Sequence, residues 1–355
     1  MQTPTQLQQE VPSAPRRDTG QSSGPFGRLI GSQNSRLAII TVLIFIVMAA
    51  LSPERFLSFA NLGSMAFQFP EFAILSLAMM LVMLTGGIDL SVVGAANLSA
   101  IAAALVLSNL AGDGATGPAA LAIVALAIVV AVAMGFLAGL VNGLVIGIFG
   151  LPPILATLGS GLVFTGFGVA LTGGSAVIGF PSAFAVVGNG SLAGIPVPLI
   201  VFVVLAVLLA VILERTSYGL RVQMFGTNPL AARFAGVNDL ALTIRTYVIS
   251  GGLAAIAGLV IMSRANSAKA DYGSSYLLLS ILICVLGGIN PYGGFGRVSG
   301  LVLAVLSLQF LSSGLNMLQV SNFATEMIWG ALLLVVMATN GMSFRRKGRV
   351  SSRTS

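Results

Sequence analysis

The sequence predicts an all-α fold, a polytopic membrane protein of about ten transmembrane helices, and three observations predict it. Of 355 residues, 56% are hydrophobic and only 8% are charged, against roughly 25% charged in an ordinary soluble domain. The apolar residues fall in runs near the ~20 needed to cross a bilayer. These runs are apolar all round, whereas strands of an outer-membrane barrel alternate apolar and polar residues.

In chain order, residues 1–36 are polar, rich in Gln, Ser, Pro and Gly, and carry Arg16, Arg17, Arg28 and Arg36. That composition predicts a disordered tail, too long and polar for an ordinary cleaved signal peptide. An apolar membrane portion then spans 37–340. The predicted spans are 37–51, 62–84, 92–110, 119–149, a fifth from Pro152-Pro153 to about 171, 197–213, 246–262, a short 276–286, 297–315 and 323–338. The third ends at Gly112-Asp113-Gly114, and a glycine- and proline-rich connection without charges covers 173–196. The tail over 341–355 is basic, with Arg345, Arg346, Lys347, Arg349 and Arg353.

Ten spans put both termini on one side, and the basic residues set the orientation. With the termini inside, 14 Lys and Arg lie inside and three lie outside, namely Arg55, Arg264 and Lys269. That asymmetry obeys the positive-inside rule and places the central loop, 214–245, in the cytoplasm. The net charge of +7 is therefore orientation information, not a nucleic-acid signal.

The remaining composition excludes several chemistries. There is no histidine, which removes His-based acid–base catalysis and His metal sites. The lone Cys284 cannot form an intramolecular disulfide and reads as a small buried side chain. Neither Lys269 nor Lys347 sits in a G-x-x-x-x-G-K-[ST] loop, so the chain shows no ATPase of its own. No catalytic residue, metal site or cofactor is expected.

The central loop carries the most specific local signal. Asn228 is a good N-cap and Pro229 suits the first helical position. Gly236 is a natural stop. Between them Leu230, Ala231, Ala232, Arg233 and Phe234 make a helix of about two turns. Leu230, Phe234 and Val237 fall at i, i+4 and i+7, giving one apolar face suited to docking into another protein.

Three further motifs are candidates for a pathway or a helix break. In Gly86-Gly87-Ile88-Asp89-Leu90-Ser91, paired glycines weaken the helix, and Asp89 either lies beside a pathway or caps the next helix. Asn142-Gly143 and Thr157, after Pro152-Pro153, bring polar groups that need partners in a dry interior; helix–helix bonding and solute contact both remain open. Gly287-Gly288 and Gly293-Gly294 flank Asn290-Pro291-Tyr292, and without a preceding strand or a following lysine they predict a tight turn. Leu84-Thr85-Gly86-Gly87 recurs as Leu171-Thr172-Gly173-Gly174, on opposite sides in this topology. Aromatic and methionine positions read as lipid-facing or packing residues. Glu71, Asp89 and Glu326 would be the coupling acids of an ion-driven secondary carrier, the rival reading; a passive channel is a third.

These motifs, in this order from 37 to 340, resemble the permease subunits of bacterial ATP-binding cassette importers for ribose and related sugars. The carriers are the Gly86–Ser91 motif, Asn142-Gly143, residues 152–159, Gly219 with Arg221, residues 226–236, and the paired glycines at 287–288 and 293–294. The stretches 180–184, 194–200 and 267–277 are similar to permeases for autoinducer-2. Val93 stands where the pattern usually has glycine, and the eighth span lacks the acid many sugar permeases carry there. The resemblance implies a type II importer fold, with a second permease copy or a related permease subunit completing the pore. It also implies ATPase subunits on the inside, contacted by residues 228–236, and a periplasmic solute-binding protein. Membrane lipid would surround it; no nucleic acid is expected.

Overall fold

The computed structural model describes residues 33–111 and 116–351, with side chains described through residue 338. Most of the predicted disordered tail, the turn at Gly112-Asp113-Gly114 and the basic side chains of the C-terminal tail lie outside the described residues.

The described residues are almost entirely helical. α1 (Gln33–Leu51), the one-turn α2 (Pro53–Phe56) and α3 (Phe59–Leu84) come first. α4 (Val92–Leu110), α5 (Gly117–Phe149) and α6 (Pro153–Thr172) follow. Next come β1 (Val177–Ile178), α7 (Ser182–Asn189), β2 (Ser191–Leu192) and β3 (Ile195–Pro196). α8 (Val197–Arg215), α9 (Ser217–Thr227), α10 (Pro229–Phe234) and α11 (Asp239–Ala265) lead to β4 (Ser267–Ala268). α12 (Tyr276–Leu286), α13 (Val298–Met317) and α14 (Asn322–Ser351) complete the chain.

Eight of these helices are long and apolar enough to cross a membrane: α1, α3, α4, α5, α6, α8, α11 and α13. α12 and the Asn322–Ala338 part of α14 are shorter apolar helices. Together they are the ten apolar segments predicted. The 11 residues of α12 rise only about 16 Å, roughly half a hydrocarbon core. α14 continues past the predicted span end at 338 to Ser351.

Local chemistry sets most boundaries. Ser58 Oγ accepts the Asn61 N–H at the start of α3, an ordinary N-cap. α5 and α6 each end on a left-handed glycine, Gly150 and Gly173, and α6 begins with Pro153 at its first position.

The connection over 173–196 is more ordered than its glycines and prolines imply. α7 sits in it, β1 pairs antiparallel with β4, and β2 pairs with β3. The Gly188 N–H donates to Ser263 Oγ at 2.8 Å, and Asn189 Nδ2 donates to the Ser263 carbonyl at 3.0 Å. Docking onto the end of α11, 75 residues away in sequence, holds this segment, and no local pattern encodes that partner.

α3 and α11 form the centre: 89% and 83% of their most apolar stretches are buried, against 17% for α1 and 22% for α6. Ile74, Leu77, Met80 and Met83 of α3 pack with Val260 of α11, Ile283 of α12 and Leu301 and Val305 of α13. α5 crosses α11 backbone to backbone; a Cβ on Gly139 would lie 2.1 Å from the Tyr247 carbonyl oxygen. Small residues at a crossing permit this approach, which drives helix association where lipid offers no hydrophobic contrast. The outer helices leave Leu43, Ile46, Leu162, Val204 and Val207 exposed, as expected of a lipid-facing rim.

Candidate functional site

α10 has the geometry that its residues predict. Asn228 Oδ1 accepts the Ala231 N–H at 3.0 Å, and Pro229 occupies the first turn. The chain leaves the helix through Gly236 at φ +81°, a left-handed conformation that favours glycine. The Val237 N–H donates back to the Ala232 carbonyl at 3.0 Å. Ala232 is fully buried, which seats α10 on the molecule. Leu230 and Phe234 are 61% and 87% exposed. The predicted apolar face therefore divides: Leu230 and Phe234 point outward, while Val237, beyond the glycine stop, packs against the core. Arg233 pairs with Asp239 of its own chain. Asn238 Oδ1 then caps α11 through the Ala241 N–H at 2.9 Å, so two asparagine caps bracket α10.

Just before α10 the chain meets the core at a tight junction. The Gly294 N–H donates to the Leu84 carbonyl at the end of α3, at 2.9 Å. Gly226, near the end of α9, fits the same place: a Cβ there would lie 2.0 Å from Leu84 O and 2.4 Å from Gly294 N. Gly86, at φ +86°, faces the Tyr292 carbonyl, and Gly293 leaves room for Gly86 N. Three backbones meet here, from the end of α3, the end of α9 and the turn after α12. Gly287 and Gly288 end α12 beside it and line a cavity of about 1110 Å³ that Glu214 and Arg297 also border. A Cβ on Gly300 of α13 would lie 2.2 Å from Gly287 O.

Behind Gly87 lies a buried polar knot. Asp89 Oδ1 accepts from the Ser91 N–H at 2.9 Å and from Ser91 Oγ at 2.6 Å. Asn142 Nδ2 of α5 donates to the same hydroxyl at 2.7 Å. Ser250 Oγ of α11 lies 3.5 Å from Asp89 Oδ2. Thr157 Oγ1 of α6 accepts the Leu90 N–H at 3.0 Å and lies 2.8 Å from the Pro153 carbonyl. Asp89, Ser91, Asn142 and Thr157 are all buried. Asp89 stabilises the entry to α4 by bonding two residues ahead, while Ser91 itself occupies the cap position. Tyr247 Oη and Asn142 Oδ1 are buried without a partner among the described residues. A Cβ on Gly87 would lie 2.9 Å from Tyr247 Oη and 3.2 Å from Pro153 Cβ.

The acids of the rival reading do not gather. Glu71 of α3 is bonded to Arg264 Nη1 at 2.9 Å and to Tyr276 Oη at 2.8 Å. Asp89 belongs to the knot, and Glu326 is exposed on α14. Among the described residues no group of three acids, cysteines or histidines is placed to hold a metal ion.

The predicted residues thus fall into two neighbouring groups. Residues 228–236 form the partly exposed element, while Gly87, Asp89, Ser91, Asn142 and Thr157 meet where the α3–α4 turn packs against α5 and the start of α6, with Gly86 in the junction. Gly287 and Gly288 lie beside the junction, not in the knot. Sequence reasoning missed Tyr247 and Ser250, which are buried polar groups on α11. Their polarity within an apolar run was the available signal. Gly226 and Gly294 were visible as motif members but not as the hinge of a junction. The segments ending at Gly87 and Gly174 do lie at opposite ends of the bundle: Gly86 faces Tyr292, whereas Val177, just past Gly174, pairs with Ala268 beyond the far end of α11.

A helical bundle with a charged short helix at one end, glycine junctions and a buried polar knot is a membrane transport architecture. Residues 61–337 match the family model described as branched-chain amino acid transport system / permease component. The autoinducer 2 import system permease protein LsrD of Enterobacter sp. (strain 638) is 32% identical, over 88% of this chain and 93% of the relative. The proteins of that name from Yersinia enterocolitica serotype O:8 and Escherichia coli O9:H4 are also 32% identical, over 90% and 88% of this chain and 89% and 92% of their own. No solved structure matches. The chain belongs to this family of transport permeases of ATP-binding cassette import systems. It is a multi-pass inner-membrane permease and not an enzyme, and the family fits the import reading, not an ion-coupled carrier.

Proposed function

We propose that this chain is the pore subunit of an importer for autoinducer-2 or a ribose-type monosaccharide, powered by ATP hydrolysis on separate ATPase subunits. The observation that carries the proposal is the pair Leu230 and Phe234, exposed on a capped helix whose Ala232 is fully buried. An apolar pair on a rigid polar-loop helix is what a groove on a partner recognises. The names of the relatives, which import autoinducer 2, support the solute class. A second permease, identical or related, completes the pore, and a periplasmic binding protein delivers the solute.

In this reading residues 228–236 face the cytoplasm with both termini, the tails 1–36 and 341–355 flank the 37–340 permease domain, and 214–245 is the coupling loop. The Leu84–Gly226–Gly294 junction passes motion of α10 to the end of α3, where Gly86 and Gly87 separate α3 from the polar knot. Asp89, Ser91, Asn142, Thr157 and the glycines 287 and 288 border the inner part of the pathway.

The double variant Leu230→Asp/Phe234→Asp, expressed with its ATPase and binding protein, should insert normally but lose uptake and ATPase co-purification. Retained uptake in that variant would refute the docking role.

A further inference from the structure

We propose that a second cavity, at the end of the bundle away from α10, is a binding site for a small, uncharged, polyhydroxylated solute. This deepens the importer reading and rests on it.

The cavity is about 430 Å³, within the range of roughly 300–1,000 Å³ usual for small-molecule sites. It lies among α3, α11, α12, α13 and α14. Arg264 is the penultimate residue of α11, so the cavity lies toward the end of α11 opposite Asn228 and Gly236.

Its polar groups are built in and only partly used. The Glu71–Arg264 pair forms one wall, with Glu71 also accepting from Tyr276 Oη. The pair sits at Pro70, the proline inside α3. Arg264 Nη1 lies 3.3 Å from the Phe67 carbonyl, in the turn where a missing proline N–H leaves the ladder weakened. Gln309 of α13 is only 3% exposed and lines the cavity, yet its side-chain amide has no bond to the described residues. Trp329 of α14 lines it as well, and its buried Nε1–H lacks a partner among the described residues. Gln68 stands on the same wall, one turn from Phe72.

The chemistry selects the ligand class. Glu71 and Arg264 cancel each other, so the walls offer no net charge to draw in an ion. An apolar guest would leave the Gln309 amide and the Trp329 indole unsatisfied, which a dry interior penalises. A compact molecule with several hydroxyls both donates and accepts, answers the amide and the indole together, and lays its C–H face on the aromatic rings of Trp329, Phe72 and Tyr276. A singly charged guest gains a counter-charge only by breaking the Glu71–Arg264 pair and leaving its other member without a partner, which is costly in a buried site.

Trp329 is the chain's single tryptophan, so its emission reports on this cavity alone. The full chain in lipid nanodiscs is titrated with ribose and with autoinducer-2; gluconate and glucosamine serve as charged controls. A saturable change in emission is expected with at least one neutral probe and with neither control. Gln309→Leu should weaken that response about tenfold or more, because one side of the hydrogen-bond set is removed. Gln68→Leu, at the more exposed rim, should weaken it less and serves if Gln309→Leu fails to fold. No saturable change with either neutral probe, an equal response in both variants, or an equal response to the charged controls would overturn the site, leaving a water-filled gap. ATPase co-purification by the wild-type chain reads the importer assignment separately, so a silent tryptophan with intact co-purification rejects the cavity alone.

Discussion

Ser91 carries more of the buried polar knot than its size implies. Its hydroxyl donates to Asp89 and accepts from Asn142, tying the start of α4 to α5. Ser91→Ala would leave Asp89 Oδ1 only the Ser91 backbone N–H and would strand the buried Asn142 amide. The expected cost is about 1–3 kcal/mol per stranded group, read as a lower unfolding temperature in detergent. Glu71 and Arg264 pose the same question with charge. Arg264→Leu leaves a buried carboxylate whose loss of partner costs roughly 3–5 kcal/mol. Adding Glu71→Leu should recover much of that loss, and a double-mutant cycle on thermal unfolding measures the coupling. Asp89 and Glu71 were both legible as ionisable groups beside apolar runs. Their partners were not, because Ser250 and Arg264 lie 161 and 193 residues away.

At the scale of elements, α10 shows how far local chemistry reaches. The asparagine cap, the first-turn proline and the glycine stop encode it within nine residues, and the helix forms there. Asn228→Ala should cost about 1 kcal/mol of helix stability; faster amide exchange over 231–234 with unchanged exchange in α11 would register it. The division of the apolar face, with Val237 turned inward, depends on where Gly236 sends the chain and on what lies beneath. The helix α7 was hidden for a related reason. Its bracketing glycines and prolines read as loop, and only the Ser263 hydroxyl and carbonyl at the end of α11 give it a place. The α5–α11 crossing adds a sharper case. Gly139→Leu would drive side-chain atoms into the Tyr247 backbone, which already lies 2.1 Å from a bare Cβ. The two helices must then separate, and loss of folded protein on size-exclusion chromatography is the expected result.

For the whole molecule, the two ends can be told apart chemically. Cys284 is the lone cysteine, fully buried, with its Sγ 3.4 Å from the Ser76 carbonyl. It should resist maleimides until the bundle unfolds, which makes it a silent background. Phe234→Cys should then label with an impermeant reagent in inside-out vesicles only, and Leu192→Cys in right-side-out vesicles only. Labelling of both from one side would refute the proposed orientation.

The sequence by itself determined the solvent, the class and the count of apolar segments, because a bilayer imposes length and hydrophobicity on each span independently of the others. It also determined the short capped helix, whose hydrogen bonds close within a few residues. What only the tertiary structure decided was company: Ser250 for Asp89, Arg264 and Tyr276 for Glu71, Leu84 for Gly226 and Gly294, and Gln309 beside the unpartnered Trp329 indole in one cavity. Aromatic positions that read as packing or lipid-facing residues proved to include Tyr276 and Trp329, which line a polar cavity. Hydropathy assigns each residue a depth and a face, but a buried polar group is satisfied by whichever helix happens to cross it, and crossings are set by packing between segments far apart in the chain.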